Sequence, residues 1–287
     1  MKVARFLDAN RPRIGIVDTS AQRIYPLDEK LSSVTDLIRI SVGGFSTFRP
    51  DSSFVAVDTV KLLAPIIPLR NIFCVGKNYH AHAKEFSGSG FEAGAVKGQE
   101  IDEYPAIFSK PPSTVVGPSD TVELHPQATS AVDYEAELAF VIGRPGRNIS
   151  EAEAMKHVWG YTIINDVTAR DRQRNHKQWL AGKGLDTFCP MGPWIVTADE
   201  VDAENLEIEC HVNGELRQKA NTRDLIFKIP QLVAAISAGL TLQSGDVIAT
   251  GTPAGVGIGF DPPRFLKAGD RVEISIAGIG TIANTFG

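Results

Sequence analysis

The chain contains 287 residues, of which 43% are hydrophobic, and it carries a formal net charge of -5. This composition supports a sizeable core and differs from that of a disordered chain. The acidic balance offers no basic surface for nucleic acid or for an anionic membrane, so the expected partner is a small molecule. No segment predicts a signal peptide or a membrane span, and the three cysteines fit neither a disulfide framework nor a CxxC metal site. We therefore expect a cytoplasmic protein.

Residues 1–68 predict a small α/β module. The first 26 residues contain short strands separated by turns, and a helix capped by Ser33 is predicted up to residue 41. Prolines in the segment 62–70 indicate an extended connection. We expect a second, larger unit at residues 69–287.

Short β-strands dominate the second unit. They are apolar or alternating runs, and an Asn-Gly pair at 213–214 marks a hairpin turn. Helices are few: Ser150 followed by Glu153 predicts a capping box, and the segment 229–239 predicts a helix between a proline and a glycine. The expected fold class is α+β, with a mainly antiparallel mixed β-sheet roll and a few helices behind the small N-terminal module.

Acidic residues interrupt the apolar sequence DYEAELAF at 133–140. In a strand, Asp133, Glu135 and Glu137 share one face, where their carboxylates repel one another. Glu135 and Glu137, joined by a third carboxylate, would form an oxygen cradle for a hard divalent cation such as Mg²⁺. A solvent-facing strand side shows the same pattern, so the spacing alone leaves both interpretations open.

A second polar group lies in GYTIINDVTARDRQ at 160–173, where an apolar strand ends in Asp166. Asp at a strand end is commonly a turn former or a helix cap. In the functional interpretation, Asp166 is the third carboxylate of a metal site. Arg170 and Gln173 then offer hydrogen-bond donors to an anionic substrate.

A histidine pair lies in GKNYHAHAKEF at 76–86. On a helix, His82 and Glu85 lie three residues apart on one face, so the carboxylate can orient an imidazole that acts as a general base. A surface ion pair has the same spacing. The spacing also leaves open whether His80 or His82 is the base.

Two glycine-containing segments complete the candidate residues. Lys183 lies between two glycines, which is typical of a mobile surface loop and equally suits a cation that covers a bound anion. The sequence TGTPAGVG at 250–257 fits neither common phosphate-binding motif. Its backbone N–H groups could still hold a carboxylate.

Several motifs, taken in order, closely resemble the fumarylacetoacetate hydrolase family over residues 70–285. They are GKNY with the following His and Glu, FSKP at 108–111, DYEAEL at 133–138, NDVTARD at 165–171, GK with DTFCPMGP at 182–193, and TGTPAGVG. The chain is most similar to the short members of the family. These include acylpyruvases, oxaloacetate decarboxylases and the FAH-domain-containing-protein-2 type, for which oxaloacetate keto-enol tautomerase activity is known.

The resemblance implies a role for each candidate residue. The implied metal ligands, for Mg²⁺ or Mn²⁺, are Glu135, Glu137 and Asp166; the implied catalytic residues are His82, Glu85 and Lys183; the implied substrate-binding residues are Arg170, Gln173 and Thr252. The polar segment 87–104 corresponds to a lid over the site, and family members are commonly homodimers. Asp133 is expected to support the ligands or to be merely solvated.

The expected activity, by this resemblance, is metal-dependent hydrolysis of a carbon-carbon bond in a small 2,4-dioxo acid of the acylpyruvate or fumarylpyruvate type. His82 would activate water and Lys183 would stabilise the oxyanion. Oxaloacetate decarboxylation or enol-keto tautomerisation at the same site is the alternative. A non-catalytic ligand-binding protein is a remote alternative, because a structural role does not require this polar set.

Overall fold

The structure is a computed structural model that describes residues 1–31, 33–41, 53–90 and 102–287. Its strands are β1 (Lys2–Asp8), β2 (Arg11–Asp18), β3 (Arg23–Pro26), β4 (Val55–Ala56), β5 (Leu62–Leu63), β6 (Ile72–Gly76), β7 (Ala106–Lys110), β8 (Val115–Val116), β9 (Val132–Asp133), β10 (Ala136–Ile142), β11 (Val158–Asn165), β12 (Thr168–Ala169), β13 (Cys189–Thr197), β14 (Glu207–Val212), β15 (Glu215–Asn221), β16 (Val247–Ala249), β17 (Arg271–Ile276) and β18 (Gly280–Thr285). The α-helices are α1 (Val34–Ser41), α2 (His80–Gly88), α3 (Glu151–Ala154), α4 (Arg170–His176), α5 (Leu180–Lys183) and α6 (Ile229–Ser237). Among the helices described, none is long and apolar enough to cross a membrane.

One large sheet forms the centre of the fold. Its strand order is β4-β3-β2-β1-β13-β11-β10-β16-β6-β7, and β5 and β8 pair with β1 and β13. A second sheet has the order β15-β14-β17-β18, and β9 pairs with β12. Strand pairs are antiparallel except β13 with β8 and β16 with β6. The expected α+β class with a mainly antiparallel mixed sheet is therefore confirmed.

The N-terminal strands extend the large sheet. β1 pairs with β13 through Lys2 and Val196, and buried residues of both parts, such as Leu37 and Ile195, share one hydrophobic cluster. The first residues are thus packed onto the larger unit by apolar burial as well as by backbone hydrogen bonds. The domain boundary between residues 68 and 69 remains a prediction.

The predicted helix signals have different outcomes. Ser33 caps α1, since its hydroxyl oxygen accepts a hydrogen bond from the Asp36 N–H at 3.1 Å. α6 lies within the predicted segment, and Gly239 follows it with a φ of +80°. The capping box at Ser150 was wrong, because the Glu153 N–H donates to the Ser150 carbonyl and the Glu153 carboxylate pairs with Lys156. α3 contains four residues.

The central pairing of β10 with β11 positions the acidic residues. The register places Ala136, the first residue of β10, opposite Asn165, the last residue of β11. Glu135 directly precedes β10 and Asp166 directly follows β11, so the two residues lie next to each other. The Asp166 N–H donates to the Glu135 carbonyl at 2.9 Å, which continues the pairing by one step. Because the two strands are antiparallel, these ends meet at the same edge.

Candidate metal centre and active site

Glu135, Glu137 and Asp166 form a buried group of carboxylates. One carboxylate oxygen from each lies within 4.8 Å of the others, and the residues are 4%, 1% and 0% exposed. The solvent-facing interpretation of the acidic strand is therefore wrong. Three oxygen ligands at one buried point are the set that a hard divalent cation prefers. This group could hold such a cation.

Three buried cations surround these carboxylates. Lys183 Nζ lies 2.7 Å from both Glu135 Oε2 and Asp166 Oδ2, and Lys110 Nζ lies 2.7 Å from Asp166 Oδ1. Arg170 Nη1 lies 2.7 Å from Glu135 Oε1. Burial by itself disfavours the Glu135 carboxylate, but the charges of Lys183 and Arg170 outweigh it and lower its pKa to about 2. Glu135 is therefore ionised across the physiological range.

Glu137 has the opposite electrostatic environment. Burial, followed by the negative charges of Asp166 and Glu135, raises its pKa well above the usual value. Its Oε2 accepts one hydrogen bond, from the Gly251 N–H at 2.8 Å. A divalent cation would offset the repulsion that raises this pKa.

The donor set fits a cation in a second respect. Asp166 Oδ1 is buried. Among the described residues it has an ion pair with Lys110 Nζ, but no donor whose geometry meets the criteria for a hydrogen bond. A buried carboxylate oxygen with an unused lone pair is costly unless another group uses it. Glu135, Glu137 and Asp166 therefore suit an oxygen-liganded cation.

His82 and Glu85 interact as the helical spacing predicts. His82 Nδ1 lies 3.1 Å from Glu85 Oε2 on α2, and His82 is 4% exposed, whereas His80 is exposed to solvent. Since a carboxylate only accepts, Nδ1 is the donor in this contact, and Nε2 is the ring nitrogen left to exchange a proton with a bound molecule. The structure thus singles out His82 as the residue that faces the cavity beside Glu135.

Arg170 is held on two sides. Its Nε donates to Asp133 Oδ2 at 2.9 Å and its Nη1 donates to Gln173 Oε1 at 3.1 Å, while Nη2 is buried without a hydrogen-bond partner in the described chain. Asp133 is 0% exposed, so the expectation of a solvated carboxylate is wrong and the supporting role is retained. Asp133 fixes the guanidinium that contacts Glu135.

The glycine-rich segment 250–257 and the residue after it hold carboxylates of the protein itself. Backbone N–H groups donate along one loop: Gly251 to Glu137 at 2.8 Å, Gly255 to Glu85 at 3.0 Å, and Gly257 and Ile258 to Asp133 at 2.7 Å and 3.2 Å. Thr252 lies in the same loop, and its hydroxyl accepts a hydrogen bond from Gln218 Nε2 at 2.7 Å. One loop therefore positions three carboxylates: Glu85, which contacts the candidate base His82; Glu137, a candidate metal ligand; and Asp133, which contacts Arg170.

One cavity brings most of the predicted residues together. The residues in its lining that the sequence singled out are His82, Glu135, Glu137, Arg170, Gln173, Lys183 and Thr252. Glu85 and Asp166 lie behind this lining and contact it through His82 and Lys183. The cavity encloses about 280 Å³ of empty space, its open mouth included.

An aromatic wall was not predicted. Trp179 packs edge-on against Phe86 and Phe108, with ring centroids 6.0 Å and 5.1 Å apart, and Lys183 Nζ lies 5.0 Å from the centre of the Phe108 ring. These aromatic side chains belong to the lining of the cavity. A low-dielectric wall strengthens the electrostatic interactions of a bound anion.

Sequence reasoning also missed Lys110. This residue stands in the FSKP motif, is 0% exposed, and donates to the Val167 carbonyl at 3.0 Å and to the Lys183 carbonyl. A lysine at the end of an apolar strand was the available signal. The predicted lid at 87–104 lies mainly outside the described residues; only 87–90 and 102–104 belong to them.

Comparison with known proteins places the chain in a family. A fumarylacetoacetate (FAA) hydrolase C-terminal family model matches residues 71–287, and an Rv2993c-like, N-terminal model matches residues 1–65. Oxaloacetate tautomerase YisK of Bacillus subtilis is 51% identical over 238 residues, which are 82% of this chain and 76% of that protein.

Solved structures agree with this placement over the whole chain. A fumarylacetoacetate hydrolase from Exiguobacterium antarcticum is 42% identical with a TM-score of 0.85, covering 100% of this chain and 99% of the other. Maleylpyruvate hydrolase from Sphingobium sp. SYK-6, in complex with manganese(II) ion and pyruvate, is 32% identical with a TM-score of 0.76, covering 100% and 98%. The family resemblance and the expected fold are confirmed: the chain belongs to the fumarylacetoacetate hydrolase family.

Proposed function

We propose that the protein is a divalent-metal-dependent enol-keto tautomerase that acts on oxaloacetate. The observation that carries this proposal is the 51% identity to a protein named oxaloacetate tautomerase, together with a buried carboxylate group beside an oriented histidine. This was the alternative expectation from the sequence. The similarities to two proteins named as hydrolases, which support the expected carbon-carbon hydrolase, are lower at 42% and 32% identity.

The proposed cofactor is Mg²⁺ or Mn²⁺, held by Glu135, Glu137 and Asp166. Oxygen ligands suit both ions, and a related hydrolase contains manganese. When bound, the ion supplies Lewis-acid stabilisation of the negative charge that develops on the 2-oxo oxygen. The remaining chemistry belongs to side chains of the chain.

His82 is the proposed proton carrier. Its free Nε2 takes the proton of the 2-hydroxyl group of the enol and delivers it to C3, so one proton leaves oxygen and one is gained by carbon. Glu85 holds the ring through Nδ1 and stabilises the imidazolium that exists between the two transfers. This sequence requires no water molecule as a reactant.

Lys183, Arg170, Gln173 and Thr252 are the proposed substrate-contacting groups. Lys183 supplies a permanent positive charge, because the charges of Asp166 and Glu135 outweigh the effect of burial and raise its pKa. It stabilises the enolate oxygen in the transition state. Arg170 Nη2 and the Gln173 amide offer donors to the adjacent carboxylate, and Phe108 and Trp179 exclude water.

A side-by-side assay tests the function. Purified protein with Mg²⁺ is given enol-oxaloacetate, keto-oxaloacetate, acetylpyruvate and fumarylpyruvate, and the loss of enol absorbance, the release of pyruvate and carbon-carbon cleavage are measured. We expect tautomerisation of oxaloacetate to depend on the metal and to have a higher kcat/KM than the cleavage of either acylpyruvate. Faster cleavage of an acylpyruvate would establish the hydrolase instead. The homodimeric state and the cytoplasmic location remain predictions.

A further inference from the structure

Lys77 is a cation of the cavity to which neither the sequence nor the proposed mechanism assigns a role. It directly follows β6 and lines the same cavity as His82 and Glu137. Its side chain is 9% exposed, and its Nζ lies 2.7 Å from Asp102 Oδ2. The ammonium group is therefore nearly enclosed.

The backbone at Lys77 adopts a φ of +53°, a conformation that few residues other than glycine adopt. The next residue, Asn78, holds this turn in place. Its side-chain amide donates to the Thr250 and Phe227 carbonyls at 2.8 Å and 3.0 Å and accepts from the Phe227 N–H at 2.7 Å. Unusual backbone conformations that persist under such constraint concentrate at ligand sites.

Asp102, a charge partner of Lys77, is more exposed than the carboxylates that pair with the other cations of the lining. Lys183 and Arg170 pair with carboxylates that are at most 6% exposed, whereas the Asp102 side chain is 34% exposed. An exposed carboxylate regains hydration when it loses its partner, so it is displaced at a lower cost than a buried one. Of the ion pairs compared here, that of Lys77 with Asp102 is the one that an incoming anion displaces most readily.

We propose that Lys77 binds the distal carboxylate of a dicarboxylic 2-oxo acid and that Asp102 is the counter-ion that this carboxylate displaces. The inference rests on the proposed function, in which the oxo group and the adjacent carboxylate face the buried acidic group. Oxaloacetate carries a second carboxylate at C4, which needs a cation within the same small cavity. Lys77 is thus a specificity-determining residue that favours diacids over monoacids.

The test compares oxaloacetate with its 4-methyl ester, in which the distal carboxylate is replaced by a neutral ester group. KM for tautomerisation and Kd from calorimetry are measured with Mg²⁺ for the wild type, Lys77→Met, Asp102→Asn and Lys84→Met. Lys84 is an exposed lysine of α2 and serves as the matched control for loss of one positive charge. Thermal unfolding verifies that each variant is folded.

We expect Lys77→Met to raise KM and Kd for the diacid about ten- to a hundredfold, the effect of one charged hydrogen bond, and to leave the values for the ester little changed. Asp102→Asn removes the competing anion, so it lowers both values for the diacid. The Lys84 variant resembles the wild type.

Equal effects of Lys77→Met on diacid and ester would overturn the inference. So would a rise in the diacid constants in Asp102→Asn, because that result identifies the ion pair as structural. If the wild type binds both compounds but tautomerises neither, the proposed function fails. The ratio of Kd for the ester to Kd for the diacid, compared between the wild type and Lys77→Met, then still decides whether Lys77 recognises the distal carboxylate.

Discussion

Gly259 leaves no room for a side chain beside Glu85: a β-carbon at residue 259 would lie 1.8 Å from Glu85 Oε1. Glu85 uses that oxygen to accept the Gly255 N–H and uses Oε2 to orient His82. A glycine at position 259 is therefore required for Glu85 to orient His82, the proposed base. Its φ lies outside the left-handed region, so an alanine there is opposed by this contact and not by the backbone.

Gly259→Ala should lower kcat without removing the metal site. The flexible Glu85 carboxylate yields to the new methyl group, and His82 then loses its partner. We expect a loss of about a hundredfold in kcat, typical of a misplaced catalytic group, with little change in metal affinity. Stopped-flow measurement of enol decay and metal titration provide the two values.

Gly88→Ala is the matched control for that variant. Gly88 lies on the same helix as Glu85, and a β-carbon there would meet no atom of the described residues within 4 Å. This control should keep wild-type kcat. Unchanged kcat in Gly259→Ala, or an equal loss of metal affinity, would contradict the proposed role of the Glu85 orientation.

Glu137→Gln should stabilise the metal-free protein while it abolishes the response to metal. A carboxyl group whose pKa is raised in the folded state contributes stability below its unfolded pKa, and this contribution is lost as pH rises through the raised folded value. At neutral pH the wild type therefore carries a penalty that glutamine removes. Thermal unfolding with EDTA and with Mg²⁺ measures both effects, and a less stable metal-free variant would contradict this reasoning.

Metal binding should release a proton because Glu137 must lose its proton to become a ligand. Its raised pKa means that the affinity for metal increases with pH. Calorimetry in two buffers of different ionisation enthalpy should give different apparent enthalpies in the wild type. The difference should be smaller in Glu137→Gln, and buffer-independent enthalpies in the wild type would contradict the assignment.

Lys110→Met should destabilise the protein in the absence of metal. Removal of this buried cation takes one ion-pair partner from the Asp166 carboxylate and one hydrogen-bond donor from the Lys183 carbonyl. Breaking a buried ion pair costs about 3–5 kcal/mol in free energy of unfolding. Chemical denaturation of Lys110→Met, Asp166→Asn and the double variant measures the coupling.

The double variant is the decisive comparison for Lys110. Adding Asp166→Asn to Lys110→Met removes the uncompensated charge, so the two effects should be less than additive. Strict additivity would show that Lys110 acts through packing alone and does not position Asp166.

Sequence patterns predicted the strands well because alternation and the Asn-Gly turn at 213–214 are local signals. The meeting of Glu135 with Asp166 depends on the register of β10 and β11, which no local pattern encodes. The residues alone therefore offered it as one of two interpretations, and the family resemblance favoured it. The buried Asp133 carboxylate accepts a hydrogen bond from the Gly257 N–H, 124 residues away, and such a distant contact leaves no local signal. Lys110 was missed for the same reason, since its partner carbonyl at Val167 lies 57 residues further on.

His82→Ala should separate metal binding from proton transfer. His82 lies outside the carboxylate group, so the variant should bind Mg²⁺ and gain thermal stability from it as the wild type does. Loss of a positioned general acid or base lowers kcat by about 10²- to 10⁴-fold. His80→Ala is the control, because His80 occupies the same helix and is exposed. If His82→Ala retained wild-type kcat, the proton would have to pass through another group, and Lys183 would be the next residue of the cavity to test.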